Sequence, residues 1–381
     1  MLVVIGMMII TGCVLMADGP DPQAPPQTLV PPTLEIPVTL VVPTEIPATL
    51  PPPPTPLASA IGPYTYPGNV NPLTGLVADA PALERRPIVV KISNAPPLVR
   101  PQSGIGEADL VFEHYAEGGL TRFSAIFYSR MPNRVGSIRS ARLIDYELVP
   151  MYQALLAYSG ASNGVNEVIA NSEFFERTYM GIQYGLPYYF RDEEIPVPHN
   201  LFVNLSALSD LATREGLNSR AALEGMSFLN FPPANASGDA NRIDIRYVAT
   251  RVEWLYDPTT GLYTRFSDGQ PHYDANTEQP VTAANVVVLY ADHLVSTIAE
   301  SEWQGNVSYG WQIKLWFEGD AVLFRDGVRY EGRWLRPTRE DMIQLRTNNG
   351  DLLYLKPGNT FFQVMRPPAQ QDPAEEGLFV E

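Results

Sequence analysis

The sequence predicts an α+β protein in which a mixed α/β domain at residues 71–232 is followed by a smaller, mostly antiparallel β domain at residues 243–366. In the first region, segments typical of strands alternate with segments typical of helices, which favours a layered structure of both kinds. In the second region, short strand patterns are separated by turn sequences. The composition changes between the two regions, where a linker rich in Gly, Asn and Ser follows Phe231-Pro232-Pro233.

The elements of the first domain follow one another in a regular order. Its strand segments are rich in branched and aromatic residues and are bounded by Pro or Gly. The first helix should begin at Ser140, because serine is a favoured N-cap, and should end just before Pro150. The predicted strands are residues 87–92, 108–115, 121–129 and 155–158, and the predicted helices are residues 140–149, 163–171 and 206–217.

The second domain is predicted to consist of strands joined by tight turns. Asp326-Gly327, residues 257–261 and residues 348–350 all contain residues suited to positive φ or to sharp reversal of the chain. Residues 285–290 form a continuous apolar run, which is typical of a central strand covered on both faces. We therefore expect a β-rich domain with at least one fully buried strand.

The chain opens with an almost wholly apolar run that ends at Ile10-Thr11-Gly12-Cys13. This ending is typical of the lipobox, in which small residues precede the cysteine that receives a lipid. Ten apolar residues are too few to span a hydrocarbon core of about 30 Å as a helix. We therefore expect residues 1–13 to be a lipoprotein signal peptide and Cys13 to be the lipidation site. The alternative is a buried strand with a buried cysteine.

Two further segments have compositions that do not favour a packed core. Residues 14–70 are dominated by Pro, Thr and Ala, which predicts an extended, disordered linker between the lipid and the folded region. Residues 367–381, which contain Asp372, Glu375 and Glu376, are predicted to be a disordered tail.

Charge and cysteine content exclude several classes of function. The formal net charge is −16, and no Lys or Arg precedes Arg85, so the sequence does not favour a nucleic-acid partner. Cys13 is the only cysteine, which excludes an internal disulfide, a cysteine-ligated zinc site and a thiol nucleophile in the folded region. We expect no metal and no cofactor, and the oligomeric state stays open.

A group of arginines is the most suggestive functional feature. Arg134, Arg139 and Arg142 lie within nine residues of one another, around the predicted helix start at Ser140. Guanidinium groups and the N-terminus of a helix both favour phosphate, sulfate or carboxylate. The alternative is that these arginines pair with nearby carboxylates on a solvated surface, such as that of Asp145.

Carboxylates near a glycine turn form a second candidate site. Glu113 lies at the end of a predicted strand, and Glu117 opens the turn Glu117-Gly118-Gly119, which is followed by Arg122. If the glycines bend the chain, Glu113 and Glu117 could act as a catalytic acid and base, with Arg122 binding the ligand. The alternative is a set of ordinary surface charges.

Two weaker sequence patterns are further candidates for functional sites. His199 and Asn200 lie in a short polar break beside aromatic residues and are expected to line a ligand cleft, although a lone histidine is more often a structural donor. Residues 160–164 match the Gly-x-Ser-x-Gly pattern of a nucleophile elbow between a strand and a helix. A glycine-rich turn explains that pattern equally simply.

A set of segments in both domains matches a known family. In the first domain these are Asn71-Pro72-Leu73-Thr74-Gly75, residues 86–94, Gly106-Glu107-Ala108-Asp109 and residues 117–123, 134–142 and 198–201. In the second domain they are Tyr256-Asp257-Pro258, Gly332-Arg333-Trp334 and residues 356–360. Together they resemble the YerB-like family of bacterial lipoproteins, over about residues 71–365. The resemblance implies a two-domain lipoprotein of the cell envelope and transfers no activity.

The sequence thus supports a membrane-anchored lipoprotein on the extracytoplasmic face of the cell membrane. Our first hypothesis is that it binds an anionic envelope ligand that bears phosphate or carboxylate groups. The alternatives are a hydrolase or transferase that acts on an envelope glycan or phosphodiester, and a scaffold that contacts other envelope proteins. Whether the protein is an enzyme stays open at this point.

Overall fold

The computed structural model of the chain describes residues 59–381. The predicted signal peptide, Cys13 and most of the predicted linker therefore lie outside the described residues. The last part of that linker, residues 59–70, is packed, unlike the prediction. Its Ile61 amide donates to the Phe228 carbonyl over 3.0 Å, and Val70 is buried. The reason is local composition, because apolar and aromatic residues replace the Pro and Thr of the preceding sequence.

The N-terminal part of the described chain contains three α-helices and eight strands. The structure confirms the predicted positions of most of them, to within a few residues at the ends. The helices are α1 (Asp145–Met151), α2 (Asn163–Ala170) and α3 (Leu205–Arg214). The strands are β1 (Ile88–Ser93), β2 (Leu110–Tyr115), β3 (Thr121–Phe127), β4 (Val135–Gly136), β5 (Leu155–Tyr158), β6 (Thr178–Met180), β7 (Tyr189–Arg191) and β8 (Leu201–Val203).

The C-terminal part is built from strands, as predicted. No helix within residues 59–381 has the length and apolar character needed to cross a membrane. The strands are β9 (Gly238–Asp239), β10 (Arg242–Tyr247), β11 (Thr250–Asp257), β12 (Leu262–Ser267), β13 (Gln270–Pro271), β14 (Thr282–Ala283), β15 (Asn285–Tyr290), β16 (His293–Trp303), β17 (Asn306–Ile313), β18 (Phe317–Arg325), β19 (Val328–Arg336), β20 (Gln344–Thr347), β21 (Thr360–Met365) and β22 (Gly377–Val380).

The central sheet takes strands from both parts of the chain. Its order is β20-β19-β18-β15-β21-β2-β3-β1-β5-β6, and β9 pairs with β19. The two parts meet where β2 runs parallel to β21, with Leu110 opposite Thr360. Strand β15 lies inside this sheet, and Asn285 to Leu289 are buried, which confirms the predicted central strand. The β-rich part and the α/β part therefore share one core.

Different layers cover the two faces of the central sheet. On one face, α1 and α2 pack their apolar residues, such as Leu148 and Val165, against Val89 and Phe112. On the other face lies a second sheet of order β13-β12-β11-β10-β22, with β14 paired to β12. Its Trp254 ring packs 4.9 Å from the ring of Phe361 on β21. We call these the helical face and the second-sheet face.

The start of α1 differs from the prediction. The helix begins at Asp145 rather than near Ser140, and its N-cap residue, Ile144, makes no side-chain cap. The loop before it is held by other contacts: the Ala141 amide donates to the Gly160 carbonyl, and the Arg142 amide donates to the Asp145 carboxylate over 2.8 Å. Because the Asp145 carboxylate binds the chain at this point, the helix cannot extend back to Ser140.

The C-terminal tail also differs from the prediction, because part of it is a strand. Strand β22 pairs with β10, with Leu378 opposite Ile245. Just before it, the buried Glu376 carboxylate forms an ion pair with Arg366. Glu376, one of the acidic residues on which the prediction of disorder rested, thus makes a specific contact with an arginine.

Candidate anion-binding site

Three arginines and two glutamates meet on the helical face of the central sheet, and we call this group the arginine cluster. Arg122 comes from β3, Arg139 and Arg142 come from the loop before α1, and Glu117 comes from the turn between β2 and β3. Glu300 comes from β16, in the C-terminal part. Residues remote in the sequence thus form one site.

Two of the three arginines are held by ion pairs. Arg122 Nη2 lies 3.2 Å from Glu117 Oε2, and Arg142 pairs with the other oxygen of the same carboxylate. Arg142 Nε lies 3.5 Å from Glu300 Oε2. Arg122 Nη1 also donates to the Ser140 carbonyl over 3.3 Å, so Ser140 contributes its backbone to the site.

Arg139 is the exception. Within the residues that the structure describes, its guanidinium group has neither an ion pair nor a side-chain hydrogen bond, and its Nε atom is buried without a partner. Burial lowers the pKa of Arg139, and the neighbouring positive charge of Arg142 lowers it further. An unpaired buried donor that carries a positive charge is costly unless an anion satisfies it.

The electrostatics of the cluster show a surplus of positive charge. Burial lowers the pKa of Arg122 to about 10, and the charges of Arg142 and Arg139 contribute to this, while Glu117 opposes it. Burial also acts to raise the pKa of Glu117, but Arg122 and Arg142 outweigh it and hold that pKa below its usual value. Glu117 therefore stays ionised, and three cations face two carboxylates.

A buried polar network lies beneath the cluster and fixes the loop that carries Arg142. Lys91 Nζ lies 3.0 Å from Asp145 Oδ1, 2.5 Å from Ser124 Oγ and 3.0 Å from His114 Nε2. Lys91 and Asp145 are both fully buried, and burial lowers the pKa of Lys91 to about 8 although Asp145 opposes the shift. Because Asp145 also accepts from the Arg142 amide, the network joins β1 to the arginine loop.

His199 borders the cluster, whereas Asn200 and Arg134 belong to a different contact. The pKa of His199 is lowered by its partial burial and by the positive charge of Arg139. Arg134 instead pairs with Asp192 at 2.6 Å. The Asn200 side chain accepts from Arg191 over 2.7 Å and donates to the Asp192 carbonyl over 3.2 Å.

Glu113 does not join Glu117, contrary to the predicted carboxylate pair. Its side chain points to the second-sheet face, where it is fully buried and pairs with Arg265 of β12 at 2.7 Å. Asn94 and Thr121 also donate to its carboxylate, over 3.1 and 2.8 Å. The physical reason is strand alternation: Glu113 and His114 face opposite sides of β2, and His114 faces the arginine cluster.

The Gly-x-Ser-x-Gly segment does join β5 to α2, as its strand-to-helix context predicted. Ser162 lies beside Glu300 and lowers the pKa of that carboxylate, although its hydroxyl is not aligned for a hydrogen bond. A side chain at Gly164 would place Cβ 2.8 Å from a methyl group of Ile298. Close packing of α2 against β16 thus accounts for Gly164.

Sequence reasoning missed Lys91 and Glu300 as parts of the site. Lys91 carries a signal that could have revealed it, because it is a charged residue inside an otherwise apolar strand. Glu300 carries none, because its role depends on contacts with residues far away in the sequence. Within residues 59–381 no group of three or more His, Cys, Asp or Glu side chains is placed to hold a metal ion.

A separate cleft of about 690 Å³ lies at the N-terminal ends of β2 and β21 and contains none of the predicted site residues. Its most deeply buried acid, Asp109, accepts hydrogen bonds from Asn71, from Ser129 and from the Tyr128 amide. The Asp109 carboxylate is therefore satisfied within the fold.

Comparison with known proteins places the chain in a family. Two family models match it, the N-terminal domain of "Protein of unknown function (DUF3048)" at residues 73–218 and the C-terminal domain of the same family at residues 243–362. The chain is also 30% identical over 299 residues to "Putative lipoprotein YerB" of Bacillus subtilis (strain 168), covering 77% of this chain and 85% of that protein. The chain belongs to the YerB-like family.

The fold of the YerB-like family agrees with this assignment. The crystal structure of the YerB protein from Bacillus subtilis matches the present structure with a TM-score of 0.66 and 27% identity, over 81% of this chain and 99% of that one. The boundary between the two DUF3048 models falls between α3 and β10. The central sheet thus contains strands from both family domains.

Proposed function

We propose that this member of the YerB-like family is an envelope lipoprotein that binds an oxyanion, a phosphate or carboxylate group of an envelope ligand. Arg122, Arg139 and Arg142 would hold the oxyanion, with Ser140 and His199 at the edge of the site. The observation that carries the proposal is the unpaired guanidinium group of Arg139 beside two other arginines. When an anion binds, such a group gains both a neighbouring negative charge and acceptors for its hydrogen bonds.

Local geometry rather than long-range attraction would drive this binding. The chain carries a formal net charge of −16, so an anionic polymer is repelled at a distance. Close contacts with two or three guanidinium groups must outweigh that repulsion. Affinity would therefore rise with ionic strength at first, as the repulsion is screened, and then fall as the salt competes for the arginines.

The lipoprotein part of the proposal rests on the leader and on the relative. Residues 10–13 match a lipobox, and the similar Bacillus subtilis protein is named "Putative lipoprotein YerB". A lipid on Cys13 would anchor the chain at the extracytoplasmic face of the membrane. The Pro-rich segment after it would then carry residues 59–381 away from the lipid surface.

The enzymatic and scaffold alternatives have less support. The hydrolase or transferase hypothesis took Glu113 and Glu117 as the acid and base, and Glu113 is held by Arg265 on the opposite face from Glu117. Glu117 is itself bound by Arg122 and Arg142. For a scaffold, a large exposed apolar patch would be the favourable sign, and the exposed apolar residues, which include Val77, Leu186 and Val295, come from separate segments of the chain.

A titration tests the proposal. We expect oligomeric glycerol phosphate or an N-acetylmuramic acid peptide to bind the parent protein, and Arg139→Ala to weaken binding at least about tenfold, or 1.4 kcal/mol. The matched control is Arg130→Ala, which removes the same charge from an exposed position outside the cluster. Absence of binding to the parent, or equal affinity of the parent and Arg139→Ala, would contradict the proposal.

A further inference from the structure

We propose that Glu300 occupies the position of the ligand's oxyanion, and that the hairpin formed by β16 and β17 is a lid that moves away when the ligand binds. This inference rests on the proposed function, because it assumes that the arginine cluster binds an oxyanion. Glu300 would compete with the ligand for the arginines of that site. The ligand class is then one whose carboxylate or phosphate can replace a glutamate side chain between arginines.

The first support is the poor fit of Glu300 to its surroundings. Its side chain is 1% exposed, and the Ser162 hydroxyl beside it lowers its pKa without meeting hydrogen-bond geometry at either carboxylate oxygen. Its one ion pair, to Arg142 Nε, is long at 3.5 Å. Burial raises the pKa of Glu300, and the nearby Glu117 contributes to the rise. A buried carboxylate with so few contacts is readily replaced by an anion that makes more of them.

The second support is that the hairpin is built to direct this side chain inward. The pairing of β16 with β17 is shifted between Ala299 and Ser301, so Glu300 has no partner in the ladder. An extra residue of this kind forms a β-bulge, which re-aims a side chain. On β17, Gly310 leaves the necessary space, because a Cβ atom there would lie 2.9 Å from Glu300 Oε1.

The third support is that the outer part of the hairpin, residues 299–309, is mostly exposed. Strands β16 and β17 pair only with each other within residues 59–381, and a two-stranded sheet is marginally stable by itself. The base of the hairpin is anchored, because Ile298 and Ile313 are buried in the core of the helical face. The lid is therefore this outer part, which can move with the loss of few contacts besides that of Glu300 while the base stays in place.

Replacement of Glu300 tests the inference in the full chain. Glu300→Gln keeps the shape and removes the charge, so we expect it to bind oligomeric glycerol phosphate or N-acetylmuramic acid peptide at least fivefold more tightly than the parent. Glu302→Gln is the matched control, because Glu302 is exposed on the same strand and its loss should leave affinity within twofold. Inorganic phosphate and acetate, titrated separately, distinguish a site for phosphate from one for carboxylate.

The outcomes separate the two proposals. If the parent binds in a manner that depends on Arg139 but Glu300→Gln binds equally or more weakly, the lid inference is wrong and the proposed function stands. If neither the parent nor Glu300→Gln binds any of the four probes, both are wrong. Amide hydrogen exchange gives an independent readout: residues 299–309 should exchange faster when ligand is bound, and slower or unchanged exchange there would contradict a lid that lifts.

Discussion

Two assemblies of arginine and glutamate lie on opposite faces of the central sheet and differ in the balance of their charges, although each contains a buried arginine Nε atom without a partner, on Arg265 and on Arg139. On the second-sheet face, Arg265 and Glu113 form a one-to-one pair, and both Glu113 oxygens accept hydrogen bonds. On the helical face, three arginines share two glutamates, and Arg139 has no ion pair. The comparison teaches that a balanced, enclosed pair serves the fold, whereas an unbalanced, partly open group has capacity left for a ligand.

Removing one partner of the balanced pair should have the largest effect on the free energy of unfolding. Arg265→Ala leaves Glu113 buried without its cation, and we expect the free energy of unfolding to fall by about 3–5 kcal/mol. Urea denaturation measures this. The matched change in the other assembly is Arg139→Ala, which relieves repulsion and should alter stability by less than about 1 kcal/mol. Equal losses of unfolding free energy in the two variants would contradict the difference between the two assemblies.

Acid should also distinguish two histidines, His272 beside the balanced pair and His199 beside the arginine cluster. His272 contacts Arg265 and Gln102, and burial, together with the positive charges of Arg265 and Arg100, holds its pKa well below the usual 6.5. Below pH 6.5 the unfolded chain therefore binds a proton that the folded chain does not, so the free energy of unfolding falls as the pH falls. This contribution is fully present at pH 7.

Two histidine variants check this dependence on pH. His272→Gln should reduce the slope between pH 6.5 and pH 5 by up to about 1.4 kcal/mol per pH unit, whatever its effect on stability at pH 7. His199→Gln, beside the arginine cluster, should change the slope little, because His199 is only partly buried. Unfolding curves at several pH values measure both, and a larger change for His199→Gln would reverse the comparison.

The smallest effect on oxyanion affinity should come from an arginine that belongs to neither assembly. Arg134 pairs with Asp192 in a partly exposed contact and lies 3.8 Å from the centre of the Phe202 ring. We expect Arg134→Gln to lower the free energy of unfolding by about 1 kcal/mol and to leave oxyanion affinity unchanged. A loss of affinity comparable to that of Arg139→Ala would show that the site extends to Arg134.

Local sequence patterns predicted much of the fold. The strand at 155–158 and the turn at Asp326-Gly327 were found because branched residues and glycine turns act over a few neighbours. The start of α1 was missed because a contact from the Asp145 carboxylate overrode the N-cap preference of Ser140. The pairing of β2 with β21 could not be predicted, because no local pattern specifies which distant strand lies alongside.

Only part of the candidate site was predicted, because here too a sequence pattern reveals only residues that are close together in the chain. Arg139 and Arg142 are close in the sequence and remain close in the structure, so their cluster was visible at once. Glu113 was misassigned to that site because a bend at Gly118 was given more weight than the alternation of side chains along β2. Glu300 enters from a distant hairpin and could be found only from the fold.

The pairing of β2 with β21 has a consequence for how the chain matures. During synthesis, the first half emerges long before residues 360–365, so the edge of β2 that meets β21 has no native neighbour in that interval. An unpaired apolar edge can join a wrong strand, and pairings between remote segments form slowly. The protein therefore reaches its folded state only after nearly the whole polypeptide has been made, and until then it depends on its surroundings to stay apart from other chains.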